Sequence, residues 1–430
     1  MKYLPIESKL FVDNRSRFTE KILPNSLAVF NSNDIMPSNA DGTLPFKQNS
    51  DLFYLCGIDQ EETILLLYPD ALDENDREIL FIKKTNEHIA VWEGYKYTKD
   101  HAKEASGISN VQWLEDFEQT FRKLALKTQR IYVNTNEHLR ANVEVQTRDA
   151  RFIEWCKSKY PAHAYERSNP IMHTIRMVKS PLEITQIQIA CDITEKGFRR
   201  VLEFVKPGVF EYEIEAEFIH EFIRNRSNGF AYHPIIASGA NACVLHYIEN
   251  NRECEDGDLI LFDVGAEYAN YNADMTRTIP VNGRYTDRQK QVYNAVLAVK
   301  EFAKELLKPG ITIPEYHKQV GLEMEKYLLE LKLIDNQDIK GQDPNWPAYK
   351  KYFMHGTSHH LGLDVHDYGH VDAKLEGGMV FTVEPGIYIP EENIGIRIED
   401  DYVVNENGSP TNLMENIPIE VDEIESIMNK

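Results

Sequence analysis

Short apolar runs, bounded by clusters rich in Asn and Asp, fill the first part of the chain. Leu27–Phe30, Leu52–Cys56, Thr63–Tyr68, Glu78–Ile82 and Arg130–Val133 read as strands, with Asn31–Asp34 and Asp70–Asp76 as polar connections. Helical stretches alternate with these runs up to about residue 165, which predicts an α/β domain. A break falls at Ser168-Asn169-Pro170. Beyond it, Ser180-Pro181-Leu182-Glu183 opens a helix, with Ser180 as N-cap, Pro181 in the first turn and Glu183 closing a capping box. That helix is expected to reach about Val205, where Lys206-Pro207-Gly208 stops it, and a second should span Glu211 to Ile223.

The same succession returns. A helix from Asp287 to Leu307 meets Lys308-Pro309-Gly310, and Ile313-Pro314-Glu315 opens another. His246 and His366 lie 120 positions apart, Asp263 and Glu384 lie 121 apart, and the strand Gly257–Asp263 resembles the strand Gly378–Glu384. These repeats predict two α/β halves related by a pseudo-twofold, each offering one histidine and two acids to a shared cleft. The expected organisation is therefore an N-terminal α/β domain over residues 1–170 and a second, pseudo-symmetric domain of α/β (α+β) class over residues 171–430.

With 430 residues the chain is long enough for two such cores. A net charge of −22 argues against nucleic acid or an anionic membrane surface as partner. Five cysteines without a Cys-x-x-Cys pair fit reduced thiols, and the polar N-terminus lacks the apolar core of a signal peptide. The run Ile64–Tyr68 is too short to span a bilayer. The expectation is a cytoplasmic protein. The acidic residues near the C-terminus, Glu415, Glu420, Asp422, Glu423 and Glu425, read as solvated surface.

Chemistry gathers at strand ends. Asp263 ends Leu259–Phe262, Glu384 ends Met379–Val383, and Glu399 follows Ile394–Ile398. A carboxylate at the end of a buried strand is costly unless positive charge meets it. Asp263 and Asp274 are spaced for a hairpin through Tyr268–Asn272, and Glu384 and Glu399 for one through Pro390–Asn393. Four such acids with one histidine suit a pair of divalent cations. Carboxylates bridge hard cations, and one imidazole among them suits Mn²⁺, Co²⁺, Fe²⁺ or Zn²⁺.

The block His355-Gly356-Thr357-Ser358-His359-His360-Leu361-Gly362-Leu363-Asp364-Val365-His366-Asp367 resembles the signature of the pita-bread metallopeptidases. Phe262–Gly265, Ala273–Thr278, Val383–Gly386 and Ile396–Asp400 stand around it in that family's order. Pro45–Gly57 is similar to a stretch of the aminopeptidase P N-terminal domain, which points to the Xaa-Pro aminopeptidase group, with prolidase next.

The resemblance implies a pita-bread catalytic domain and two metal ions, Mn²⁺ first, held by Asp263, Asp274, His359, Glu384 and Glu399. It implies hydrolysis of the bond before a penultimate proline by a hydroxide shared between the metals, with Glu384 moving the proton to the leaving nitrogen. His246 and His366 would hold the substrate and the tetrahedral intermediate, and His355 would line the proline pocket. Arg397, Tyr388 and Thr276 would support the cleft, Arg397 and Tyr388 on its substrate side. Proline-containing peptides are the implied partners. A homo-oligomer, dimer or tetramer, is implied too, and Trp92 resembles a residue that in this family reaches a neighbouring subunit's site.

The chemistry agrees, because an Xaa-Pro bond offers no N–H and a rigid ring. Dipeptide cleavage by a prolidase and a non-catalytic binding module of the same fold are the competing readings. His233, His360 and His370 read as structural or surface residues, and Cys243 as a small buried thiol.

Overall fold

The structure, a computed structural model, describes every residue except Met1 and Val371. Two compact units emerge, Tyr3–Arg176 and Met177–Lys430.

In the first unit six strands form one mixed sheet: β1 (Ser26–Asn31), β2 (Ile64–Leu67), β3 (Glu78–Ile82), β4 (Asn110–Trp113), β5 (Arg130–Val133) and β6 (Ala164–Arg167). Their order across the sheet is β4-β3-β2-β1-β5-β6. β1, β2 and β3 are antiparallel neighbours, and β4, β5 and β6 join in parallel. β1 and β2 are buried along their whole length, which is why Ile64–Leu67 is continuously apolar rather than alternating. On one face Leu27, Val29, Leu66 and Phe81 meet Phe117, Phe121 and Phe152 from the helices Phe117–Ala125 and Arg148–Lys159.

Leu52–Cys56, expected as a strand, lies in the helix Ser50–Cys56. The Asn49 side chain caps it by accepting from the amides of Asp51 and Leu52, each at 3.1 Å, and a left-handed Gly57 ends it. Every residue from Asp51 to Cys56 is buried, so the run shows no period, and a buried helical turn then reads like a buried strand. β4 and β6 escaped the pattern for the opposite reason, since both mix polar residues into half-exposed edges. The expected break at Ser168-Asn169-Pro170 instead opens the helix Asn169–Met177, with Ser168 O accepting from Ile171 and Met172 at 3.0 Å.

The second unit contains β7 (Gly229–Phe230), β8 (Ile235–Ser238), β9 (Leu259–Val264), β10 (Ala266–Tyr268), β11 (Tyr271–Asn272), β12 (Met275–Pro280), β13 (Val380–Val383), β14 (Gly386–Ile389), β15 (Ile394–Arg397), β16 (Asp400–Val403) and β17 (Thr411–Asn412). They make small antiparallel sheets: β12-β9-β8, β11-β10-β7, β13-β16-β17 and the pair β14-β15. The long helices Pro181–Phe204, Asp287–Leu306 and Ile313–Glu330 all start at capping boxes, and Glu211–Arg224 accompanies them.

The predicted internal repeat is present in the hydrogen bonding. After the first Lys-Pro-Gly stop, Gly208 N donates to Cys254 O at 2.9 Å, and Phe210 bridges Glu253. After the second, Gly310 N donates to Leu375 O at 2.9 Å, and Thr312 bridges Lys374. Among the acidic residues near the C-terminus, Glu425 departs from the solvated reading. It is buried, accepts from Tyr285 N at 2.9 Å and pairs with Lys290 at 3.0 Å. Among the described residues no helix is long and apolar enough to cross a membrane.

One buried acid in the first unit makes its stability depend on pH. Asn31, at the end of β1, donates to Asp149 Oδ1 at 2.8 Å. Burial raises the Asp149 carboxyl from 3.8 to about 7; Asp51 and Asp34 add to the rise, and Arg148 opposes it. Because the folded value lies above the unfolded one, the fold favours the protonated acid, and stability is lost as pH climbs from the unfolded value through the folded one. Asp149→Asn keeps the acceptor for Asn31 and has no charge to bury. Its stability relative to the parent should grow by about 2–3 kcal/mol between about pH 5 and about pH 8. Urea unfolding of both proteins at the two pH values measures this, and a pH-independent difference would rule it out.

Candidate metal centre

β9 and β12 pair so that Asp263 faces Thr276. Asp274 lies two residues before Thr276, so strand alternation puts Asp263, Thr276 and Asp274 on one face. Gly265 permits the close approach, since a Cβ there would collide with Ala273 O. Ala269 and Asn270 take positive φ in the turn that joins β10 to β11, and the Asn270 amide donates to Glu267 Oε1 at 2.8 Å.

Glu384 and Glu399 sit where strands exchange partners. β13 ends with Val383 opposite Asp400, and β14 begins with Gly386 opposite Arg397. The two-residue gaps on either side hold the acids. Their amides are satisfied elsewhere: Glu384 N donates to Thr357 O at 2.9 Å, and Glu399 N to Thr276 O at 3.0 Å. The histidine block runs beside β13 without forming a strand. Thr382 N donates to His359 O at 3.1 Å, and His359 N to Thr382 Oγ1 at 3.2 Å.

These elements bring the five acid and histidine positions together. Asp274, His359 and Glu399 each present a ligand atom within 4.8 Å of the others. His359 Nε2 lies 3.4 Å from Asp274 Oδ2 and 3.7 Å from Glu384 Oε1. Its Nδ1 donates to His360 O at 3.0 Å, so in the neutral ring the Nε2 lone pair faces the acids. Tyr232 links Asp263 to the group: its hydroxyl is 2.6 Å from Asp263 Oδ1 and 2.5 Å from Asp274 Oδ1. One hydroxyl proton thus serves two carboxylates.

Burial raises the carboxyls of Asp263, Glu384 and Glu399, and the neighbouring acids add to it; Glu384 reaches about 7. Burial alone would lower His359, but Asp274 and Glu384 outweigh it and raise the ring to about 9. The pocket therefore disfavours its own negative charge and favours positive charge. Four hard carboxylates and one imidazole are a donor set for divalent cations of the Mn²⁺ to Zn²⁺ type.

Around the acids runs a chain of polar contacts. Arg397, 4 % exposed, bonds Asp263 Oδ2 through one terminal nitrogen, Tyr388 OH at 2.7 Å through the other, and Thr276 Oγ1 at 3.1 Å through Nε. The Thr276 hydroxyl donates to Glu399 Oε2 at 2.6 Å. Tyr388 OH meets His355 Nε2 at 2.8 Å, and His355 Nδ1 donates to Gly356 O at 2.7 Å. Burial, then Arg397, pushes His355 down to about 3, so it stays neutral. Arg397 and Tyr388, expected on the substrate side, are both buried, and Tyr388 joins Arg397 to His355.

His366 packs against His359 with ring centres 3.9 Å apart and the ring planes tilted by 41°. His246 occupies an exposed loop near enough to His355 to act on its charge. His360 turns onto Phe381 at 4.2 Å, and His233 and His370 are exposed.

Three contributors carry no sequence signal of their own. Tyr232 stands in no motif. His317, from the helix Ile313–Glu330, bonds Thr357 Oγ1 at 2.8 Å across 40 residues. Asp401 Oδ2 accepts from Asp274 N at 3.0 Å, and only its place beside Glu399-Asp400 hints at a role.

Residues 185–406 match metallopeptidase family M24, and residues 11–132 match the aminopeptidase P N-terminal domain. The Xaa-Pro aminopeptidase of Escherichia coli (strain K12) is 35% identical over 438 residues, with 98% of each chain covered. Xaa-Pro aminopeptidase 3 of Homo sapiens is 31% identical, over 90% of this chain and 77% of its own. Among solved structures, Zn-substituted E. coli aminopeptidase P in complex with product is similar at a TM-score of 0.87, with 34% identity and 99% of each chain covered. Proline aminopeptidase P II from Yersinia pestis also gives 0.87, at 32% identity, covering 99% of this chain and 100% of its own. The E. coli enzyme is known with the inhibitor Pro-Leu as well. Since both domain matches fall in order and these relatives align along nearly the whole chain, the protein belongs to metallopeptidase family M24, as a pita-bread enzyme of the Xaa-Pro aminopeptidase group.

Proposed function

We propose that this protein releases the N-terminal residue from peptides whose second residue is proline, as a two-metal hydrolase. The observation that carries this reading is the convergence of Asp263, Asp274, His359, Glu384 and Glu399 in one half-buried to buried cluster that favours positive charge. The substrate class follows from the relatives, whose names and complexes are those of Xaa-Pro aminopeptidases.

The five residues would hold two divalent cations, Mn²⁺ first, with Co²⁺, Zn²⁺ or Fe²⁺ as alternatives. When bound, the ions supply Lewis acidity to a water nucleophile and to the scissile carbonyl. Glu384 holds the proton taken from the water and returns it to the proline nitrogen, which leaves only once protonated. His246 and His366 hold the substrate carbonyl side as charge develops there. His355, kept neutral by its burial, lines the proline site, and Tyr388 fixes its ring by one hydrogen bond. Arg397 and Thr276 orient Asp263 and Glu399. The exposed Trp92, with Val91 and Tyr95 beside it, would be covered in a homo-oligomer.

The Mn²⁺-loaded protein should release the first residue of an Xaa-Pro-Xaa tripeptide and lose that activity to a chelator. Cleavage of the matching Xaa-Pro dipeptide alone would make it a prolidase, and cleavage of neither with Mn²⁺, Co²⁺ or Zn²⁺ would leave a binding module. Metal binding itself gives an independent check. Added Mn²⁺ should raise the Tm of the parent by clearly more than that of His359→Ala. Thr276→Val, which leaves every ligand in place, should weaken metal affinity or turnover by roughly 10–100-fold. Titration calorimetry separates the two cases, and parental affinity and turnover in Thr276→Val would remove its orienting role.

A further inference from the structure

Exposed loops are the more mobile part of a fold, and His246 stands on one. The loop leaves β8 at Ser238, turns through Gly239–Cys243 and comes back at Arg252. Behind it lies Glu211, the first residue of the helix Glu211–Arg224, with 0 % of its surface exposed. Its carboxylate gathers donors from that one segment. Oε1 accepts from Ser238 N and Ser238 Oγ, each at 2.7 Å, and from Asn241 Nδ2 at 3.4 Å. Oε2 accepts from Tyr247 OH at 2.7 Å and Arg252 N at 2.9 Å. The Glu211 amide returns a bond to Arg252 O at 3.0 Å.

Among the described residues no guanidinium pairs with this carboxylate. Arg252 spends its own on Ser238 O at 2.7 Å and on Asp258 at 2.8 Å. The charge of Glu211 is instead met by oriented N–H and O–H groups and by the first turn of its helix. A buried carboxylate is a poor choice for stability alone, because an apolar side chain of similar volume avoids the desolvation. An acceptor-only group with two oxygens can, however, join the start, middle and end of one loop at once. Tyr247, next to His246, is the middle of the three. It belongs to one buried cluster with Ile235, Ala237, Ala242, Leu261 and Tyr388, and Tyr388 is the residue that bonds His355.

We propose that Glu211 is a positioning residue for the peptidase reaction: its buried carboxylate holds the 238–252 loop so that His246 faces the metal cleft. This rests on the reading of His246 as a substrate-holding group. The test uses the full-length, Mn²⁺-loaded protein with an Xaa-Pro-Xaa tripeptide. It compares Glu211→Gln, His246→Ala, the double variant and Tyr247→Phe. Glu211→Gln should lower kcat by about 10–100-fold, the range seen for residues that orient a functional group. The double variant should be no slower than His246→Ala alone, because each change removes the same contribution. Amide hydrogen exchange should quicken in the 238–252 peptides of Glu211→Gln and stay parental in the β13–β16 peptides.

Tyr247→Phe removes a single donor and should show the same pattern in weaker form, which keeps the test valid if Glu211→Gln does not fold. Losses that multiply in the double variant, or Tyr247→Phe and Glu211→Gln with parental kcat, would overturn the proposal while leaving the function intact. Full activity of His246→Ala would overturn it differently, by removing the group that Glu211 is said to position. An inactive parent would instead strike the proposed function itself.

Discussion

Carboxylates repel one another, and this fold draws four of them around one imidazole. At an effective dielectric of 20, two unit charges 4 Å apart cost about 4 kcal/mol, so leaving all four acids ionised and unmatched would exceed what a domain of this size can absorb. The surroundings relieve part of that load. Arg397 places its positive charge on Asp263, Tyr232 lends a proton between Asp263 and Asp274, and Thr276 bonds Glu399. Burial first, and then the repulsion that remains, raises Glu384 and Glu399, while Asp274 and Glu384 raise His359. The same imbalance that burdens the protein without cations is the one that bound cations would relieve.

Behind this layer stands a second set of charges that is closed on itself. Asp400 pairs with Arg277 and with Lys300, each at 2.6 Å, and Lys300 also bonds Tyr402 OH at 2.8 Å. Burial would raise Asp400, but Arg277 and Lys300 outweigh it, and the carboxyl lies below its ordinary value. Arg277 also donates to the backbone oxygens of Thr276 at 2.9 Å and Glu399 at 2.7 Å. A satisfied ion network thus grips the main chain at Thr276 and at Glu399. Among the described residues no cation pairs with Asp401, one residue on, and burial and Asp274 push it well above its ordinary value. Adjacent acids on one strand are held in opposite electrostatic settings, one to anchor and one to accept the Asp274 amide.

The repeat and the clustered acids were legible in the sequence because each leaves a local trace. Lys-Pro-Gly stops a helix wherever it occurs, and an acid after an apolar run is visible without knowing what it faces. The Leu52–Cys56 helix was not legible, because complete burial erases the period that separates helix from strand. Tyr232 and His317 were not legible for another reason. Their partners lie 31 to 42 residues away, and nothing in Phe230–His233 or Ile313–Glu330 foretells those contacts. Glu211 shows the same limit from the other side. The sequence marked it as the start of a helix, while its carboxylate serves a loop that begins 27 residues later.

Glu384 and Glu399 occupy the two gaps where β13 and β14 trade partners between β16 and β15. Side chains alternate along strands, so a slip of one residue in either ladder would turn one acid away from its cluster and bring its apolar neighbour in. A misaligned chain could then offer the cations too few ligands to bind. Ions held by these acids would favour the correctly aligned strands, because binding to one alignment alone stabilises it.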